Sequence, residues 1–200
     1  MFKKITVILP TYNEAGNLPG LAAALLALPI PGLSILIVDD ASPDGTGAIA
    51  DRLAGDTAGR VAVLHRSGKL GLASAYLTGM RLALEAGAEA VVQMDSDFSH
   101  PPHKLVEMLA LLETCDLVLG SRYVPGGSVD LNWPAWRKGL SAFGNFYART
   151  ILHLPVRDAT GGFRAWRRSA LEAMPLEQVH ATGYAFLVEL IYLASRLGLQ

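Results

Sequence analysis

Four short runs of aliphatic and β-branched residues, 4–9, 34–38, 60–64 and 90–94, alternate with stretches of helical periodicity at 16–28, 44–54, 71–86 and 102–113. A fifth run, 116–119, closes the series. Each is too short for a helix and apolar on both sides, as strands covered on both faces require. Few architectures accommodate such an alternation. Crossovers between parallel strands are right-handed and lay helices on the sheet, so the pattern predicts an α/β fold with a Rossmann-like, mostly parallel central sheet and helices on both faces. Asn13-Glu14, the turn Ser42-Pro43-Asp44-Gly45 and Pro101-Pro102 supply the helix starts.

After residue 123 the character changes. A loop is expected at 124–135, an amphipathic helix at 136–152, a loop with a short strand at 158–167, and an apolar helix interrupted by Glu189 at 183–197. Two hundred residues suit one domain, with one half at about 1–123 and the other at about 124–200. Hydrophobic residues make up 51% and charged residues 18%, which excludes disorder. A net charge of -1 offers no general basic field, so nucleic acid is not expected as a partner. Cys115, the single cysteine, reads as a small core residue of a chain in a reducing compartment. The first apolar run meets Pro10 and charge too early for a signal peptide, and no stretch is long enough for a membrane span. The mean hydropathy of +0.32 nonetheless points to contact with something apolar.

Open parallel sheets bind ligands beyond the carboxyl ends of their strands. The polar residues gather there: Pro10-Thr11-Tyr12-Asn13-Glu14 after the first strand, Asp39-Asp40 after the second, Asp95-Ser96-Asp97 after the fourth, Arg122 after the fifth. Asp95 and Asp97, two residues apart, repel one another unless a cation lies between them. Hard divalent ions take such carboxylates and share their remaining shell with substrate phosphates. Asp39-Asp40 fits either a nucleobase or ribose contact or plain turn chemistry, and both readings stand. Arg122, Arg137 and Arg164 are candidate anion clamps, since a guanidinium fork suits phosphate. Trp136-Arg137-Lys138 sets two cations beside an aromatic ring ahead of an apolar helix, which suits a phosphate headgroup with a lipid tail. His65, His100, His103, His153 and His180 lack metal-ligand spacing and read as structural or solvated.

Two motif matches fail on context. Gly45-Thr46-Gly47-Ala48-Ile49-Ala50 has the spacing of a dinucleotide fingerprint, but Asp39, Asp40 and Asp44 precede it and would repel a pyrophosphate. Gly68-Lys69 lacks the upstream glycine and following Ser/Thr of a P-loop.

The segments 9–19 (LPTYNEAGNLP), 37–46 (IVDDASPDGT), 69–76 (KLGLASAY), 94–102 (MDSDFSHPP), 120–127 (GSRYVPGG), 136–141 (WRKGLS), 158–168 (DATGGFRAWRR) and 183–190 (GYAFLVEL) together resemble the dolichyl- or polyprenyl-phosphate mannosyltransferases of glycosyltransferase family 2. The resemblance implies a GT-A fold, a GDP-mannose donor, one Mg²⁺ or Mn²⁺, a polyprenyl (dolichyl) phosphate acceptor, and peripheral attachment at the cytoplasmic face of a membrane. It implies that Pro10, Tyr12, Glu14, Val38 and Asp40 hold the guanosine. Asp95, Ser96 and Asp97 would hold metal and diphosphate, with Asp95 and Asp97 as ligands. Ser99 stands where relatives often carry a glutamine ligand. Arg122, Arg137 and Ser141 would grip the acceptor phosphate, with Asp97, Arg122 and Arg137 carrying catalysis. Relatives continue with a further strand and a basic loop, so the chain reads as shortened at its C-terminal end.

These expectations describe an inverting transfer of mannose onto a lipid phosphate. Asp158 would orient the acceptor or a neighbouring arginine. Two other readings remain: a related transferase using UDP-glucose or another nucleotide sugar on a lipid phosphate, and a non-catalytic nucleotide-sugar or lipid-binding module.

Overall fold

The computed structural model describes residues 1–124 and 135–200, the side chains of 135, 137, 138 and 140 aside. The loop expected at 124–135 therefore lies almost wholly outside the described residues. The chain runs β1 (Ile5–Thr11), α1 (Leu18–Leu26), β2 (Leu33–Asp39), α2 (Thr46–Asp56), β3 (Val61–His65), α3 (Leu72–Glu85), β4 (Ala90–Gln93), α4 (Lys104–Leu111), β5 (Leu117–Leu119), α5 (Ala135–Leu152), β6 (Arg164–Arg167), α6 (Arg168–Ala173), a 3₁₀ turn (Leu176–Gln178) and α7 (Gly183–Arg196).

One six-stranded sheet has the order β3-β2-β1-β4-β6-β5. β1 pairs in parallel with β2 and β4, and β2 with β3. All five strands of the expected series are present, and β6 is the short strand expected within 158–167, so the mostly parallel α/β architecture holds. β5 does not join β4, however. β6 lies between them and is antiparallel to both. This pairing seats Arg164 beside Gln93 and Leu119, so the segment entering β6 arrives at the edge where β1, β2, β4 and β5 end.

Strand side chains alternate between two cores. Val7, Leu9, Ile35, Ile37 and Val92 pack with Leu18, Leu21 and Leu25 of α1 and Leu105 and Leu109 of α4. Ile8, Leu36, Val38 and Val91 face Tyr76 and Met80 of α3 and Phe186, Leu190 and Ile191 of α7. The period of two along buried strands thus serves both layers. Gly79 lets α3 close on β1, because a Cβ there would stand 2.7 Å from Ile8 Cγ2. Trp166, fully buried, donates its indole N–H to Gln93 Oε1 at 2.8 Å and ties β6 to β4.

Candidate active site

Three loops leave the carboxyl ends of β1, β2 and β4, and each contains a non-glycine residue in the left-handed region: Asn13 (φ 64°), Ala41 (φ 54°) and Phe98 (φ 62°). Such conformations cost energy for L-residues and persist where surroundings hold them. Here hydrogen bonds do so. The amides of Asn13, Glu14 and Ala15 donate to Ser42 Oγ (3.1 Å), Thr46 Oγ1 (2.9 Å) and Asp44 Oδ2 (3.1 Å), stitching the β1 loop to the β2 loop. Ser96 Oγ donates to the Pro10 carbonyl at 2.8 Å and joins the β4 loop to them. Pro10, Tyr12, Glu14 and Ser96 are thereby brought to one edge.

The two acids at the end of β2, Asp39 and Asp40, are held by structural contacts. Asp39 accepts from Thr11 Oγ1 (3.0 Å), Ser42 Oγ (2.6 Å) and the Ser42 amide (3.1 Å), closing its turn. Asp40 Oδ1 is ion-paired with Arg66, and Oδ2 accepts the Gly71 amide at 2.9 Å. Arg66 continues to Ser74 Oγ (2.6 Å) and the Gly71 carbonyl (2.9 Å). The turn reading describes the Asp39 carboxylate, whereas that of Asp40 reaches across to Arg66 and the Gly71 amide. The Val38 side chain is fully buried in the core beneath α3, so only its backbone stands at the edge where a nucleoside contact is expected. Tyr12, by contrast, is exposed, with Lys69 Nζ 3.9 Å from its ring centroid.

Asp95 is braced from three sides. The buried Tyr76 hydroxyl donates to Oδ1 at 2.8 Å. The Asp95 amide donates to His100 Nδ1 at 3.0 Å, and His100 Nε2 lies 3.8 Å from Oδ2. A Cβ at Gly162 would stand 3.0 Å from Oδ2, so only glycine fits beside this carboxylate without a shift. Burial, with the Asp95 charge, raises the Tyr76 phenol well above its ordinary range, so it remains a donor at neutral pH. Burial lowers His100, against the pull of Asp95 and Asp97, and the ring stacks on Phe163. Asp97 is exposed and accepts the Ser99 amide at 2.9 Å. Burial opposes its ionisation, but Ser99 hydrogen bonds and His100 hold its carboxyl below the usual range.

Arg122 follows β5. Its Nε and Nη2 meet Asp158 Oδ2 (2.8 Å) and Oδ1 (3.0 Å), and Nη2 also donates to Thr160 Oγ1 at 2.7 Å. Nη1 has no partner among the described residues, so the fork is oriented yet keeps a donor for an anion. The expected orienting contact from Asp158 to an arginine is thus present. Ser141 Oγ lies 3.3 Å from the Tyr123 hydroxyl, placing α5 beside the Arg122 loop. Arg137 lies on α5, and its side chain is outside the described residues. The clamp expected of Arg164 is corrected. Its guanidinium is fully buried and donates to the carbonyls of Gly161 (2.8 Å), Leu187 (2.7 Å) and Ala159 (2.9 Å). Burial lowers its pKa to about 9, and it secures the loop instead of facing a ligand.

Sequence reasoning missed Tyr76, Arg66 and the bracing role of His100. Tyr76 ends the quoted 69–76 segment and His100 follows the Asp-x-Asp directly, so position was their only signal. No three His, Cys, Asp or Glu side chains among the described residues form a metal cluster. The protein offers two neighbouring carboxylates, Asp95 with Oδ2 turned from Tyr76. That donor set fits a hard divalent ion completing its shell with water and phosphate oxygens, and not a closed structural zinc site.

A parallel sheet carrying acids at its carboxyl edge, with an antiparallel strand inserted beside β4, is the architecture of a GT-A nucleotide-sugar transferase. A mannosyltransferase from Pyrobaculum calidifontis, solved in complex with GDP-Man and Mn²⁺, superposes with a TM-score of 0.62 at 24% identity, covering 94% of this chain and 51% of that one. The family model for glycosyl transferase family 2 matches residues 6–174, and the chain belongs to that family. It is 45% identical over 195 residues to an undecaprenyl-phosphate mannosyltransferase from Micrococcus luteus, covering 98% of this chain and 79% of that protein. It is also 45% identical over 197 residues to a polyprenol monophosphomannose synthase from Mycolicibacterium smegmatis, covering 98% and 74%.

Proposed function

We propose that this chain transfers mannose from GDP-mannose to a polyprenyl phosphate, with inversion, at the cytoplasmic face of a membrane. The observation that carries the reading is the convergence of Asp95, Asp97 and the Asp158-held Arg122 on one sheet edge. Its resemblance to two enzymes named for polyprenyl-phosphate mannose transfer supports the substrate class.

In the proposed reaction a phosphate oxygen of the acceptor bonds to the sugar C1. The C1–O bond to the diphosphate breaks on the opposite face, and GDP leaves with the electron pair. A phosphate monoester with a second pKa of about 6 is mostly ionised at neutral pH, so no proton has to be removed first. The chain's task is then positioning and charge neutralisation. Asp95 and Asp97 would hold Mg²⁺ or Mn²⁺, which when bound neutralises charge on the leaving diphosphate. Tyr76 and His100 orient Asp95, and Asp158 presents Arg122 to a phosphate oxygen. The β1 loop, with Tyr12 exposed, offers a face for the nucleoside. Arg137 and Ser141 complete the acceptor end.

The test is transfer measured with GDP-mannose and a polyprenyl phosphate in detergent, with Mn²⁺ and with chelator. Mannosyl phospholipid formed only with the ion is expected. Product from UDP-glucose and none from GDP-mannose would reassign the donor, and donor binding without product would make the chain a binding module. Arg137→Ala should raise the acceptor KM more than it weakens GDP binding.

A further inference from the structure

Lys69 belongs to the link between β3 and α3, at the carboxyl edge of the sheet. Both ends of that link are fixed. At its start the Arg66 amide donates to the Asp39 carbonyl at 2.8 Å. At its end the Gly71 amide donates to Asp40 Oδ2 at 2.9 Å. Gly71 turns there with φ 93°, a left-handed value that favours glycine. The Arg66 guanidinium, ion-paired with Asp40, donates back to the Gly71 carbonyl at 2.9 Å and joins the two ends. Residues 67–70 therefore form a short, anchored loop, with Lys69 and Leu70 exposed on it. From this loop the Lys69 ammonium lies 3.9 Å from the centroid of the Tyr12 ring, itself exposed on the β1 loop. Among the described residues the ammonium has no carboxylate partner.

An exposed ring at the open edge of a parallel sheet is a platform for a flat ligand. A base stacking on Tyr12 gains more than the exposed cation–π contact that it replaces. The ammonium then leaves the ring face, and because its loop is anchored it stays at the rim of the base. An ammonium has three donors and no acceptor. It pairs with the O6 and N7 acceptors of a 6-oxo purine, whereas the 6-amino group of adenine sets a donor against it. We infer that Lys69 is a specificity-determining residue for the donor nucleotide, selecting a 6-oxo purine over a 6-amino purine stacked on Tyr12. This rests on the reading of the β1 loop as the nucleoside face of a sugar-nucleotide transferase.

The test is calorimetric titration of the full chain with GDP, inosine diphosphate and ADP, with Mn²⁺ present and no acceptor. Inosine diphosphate isolates the 6-oxo group, since it lacks the 2-amino group of GDP. The wild type should bind GDP and inosine diphosphate about tenfold more tightly than ADP, the discrimination of one good contact at a base edge. Lys69→Met alters an exposed side chain and should leave melting unchanged. It should weaken GDP and inosine diphosphate about tenfold and leave ADP nearly unaffected. Lys69→Arg keeps the charge and the donors and should retain the preference. Preference unchanged in Lys69→Met would overturn the inference. So would an equal loss for all three nucleotides, which would put the ammonium on the diphosphate, or a wild type that binds ADP as well as inosine diphosphate. Transfer from GDP-mannose is scored separately. GDP bound without regard to Lys69, but mannose still transferred, sinks this inference alone. Base preference lost in Lys69→Met, but no product formed by the wild type, sinks the transferase reading alone. No binding of any of the three ends both.

Discussion

Arg122 and Asp158 face each other through two parallel hydrogen bonds, Nε to Oδ2 at 2.8 Å and Nη2 to Oδ1 at 3.0 Å. The Asp158 side chain is wholly buried. Removing one partner of a buried pair strands the other, so Asp158→Ala should destabilise the fold by about 3–5 kcal/mol. The pair also predicts acid sensitivity. Burial pushes the Asp158 carboxyl up, but Arg122 and Thr160 pull it below its ordinary value. A carboxylate with a depressed folded pKa contributes stability above the unfolded value of roughly 4, and that contribution disappears as pH falls through the folded pKa. Thermal melting of wild type should therefore drop below about pH 4, and Asp158→Asn should flatten that dependence. Parallel pH profiles would refute the assignment.

Asp97 is exposed, and its hydrogen bonds among the described residues run only to the neighbouring Ser99. Asp97→Ala should leave melting within about 0.5 kcal/mol of wild type, as surface changes usually do. Transfer should fall by about 10²–10³-fold, the usual loss when a charge-stabilising group is removed from a site. Turnover near the wild-type rate would remove the metal site from this edge.

The Tyr76 hydroxyl reaches Asp95 from inside the core. Tyr76→Phe removes one hydrogen bond, costing about 1 kcal/mol of stability. Loss of a group that orients a metal ligand typically costs 10–100-fold in affinity. Titration of Mn²⁺ by electron paramagnetic resonance should show that loss, and equal affinity in the two proteins would exclude the orienting role.

Gly162 lies against both Asp95 and His100, 3.0 Å and 3.3 Å from where a Cβ would sit. Gly162→Ala should displace the carboxylate and lower kcat about tenfold or more, since an ångström of misplacement costs roughly a hundredfold. Gly16→Ala, with nothing within 4 Å of the new methyl, is the control. Equal kcat values in the two variants would show the contact to be harmless.

Arg66 and Asp40 form the second buried ion pair, with side chains 6% and 7% exposed. Arg66→Ala and Asp40→Ala should each cost about 3–5 kcal/mol, and the double variant should cost much less than their sum. Additive losses in urea unfolding would mean the two act separately.

Much of this molecule was legible locally. β1 to β5 follow from short β-branched runs, and the acids of 95 and 97 stand where a parallel sheet opens to solvent. Such features repeat along the chain with a period, and periodicity survives without knowledge of partners. β6 was harder. Arg-Ala-Trp-Arg has charged ends, and its place between β4 and β5 depends on pairing with Gln93, about seventy residues away. Arg164 looked like an anion clamp because nothing near it in sequence reveals that Ala159, Gly161 and Leu187 supply carbonyls. The pleat turns the Val38 side chain into the core, which the sequence alone does not reveal.

The sequence alone therefore determined the alternating α/β layers and the acidic edge, because strand and helix periods and strand-end chemistry are short-range properties. Tertiary structure alone decided which polar groups remain available to a ligand. Asp40 and Arg164 are committed to buried partners, whereas Asp97 and one face of Arg122 remain open, since satisfying a buried charge depends on groups that only folding brings within hydrogen-bond distance.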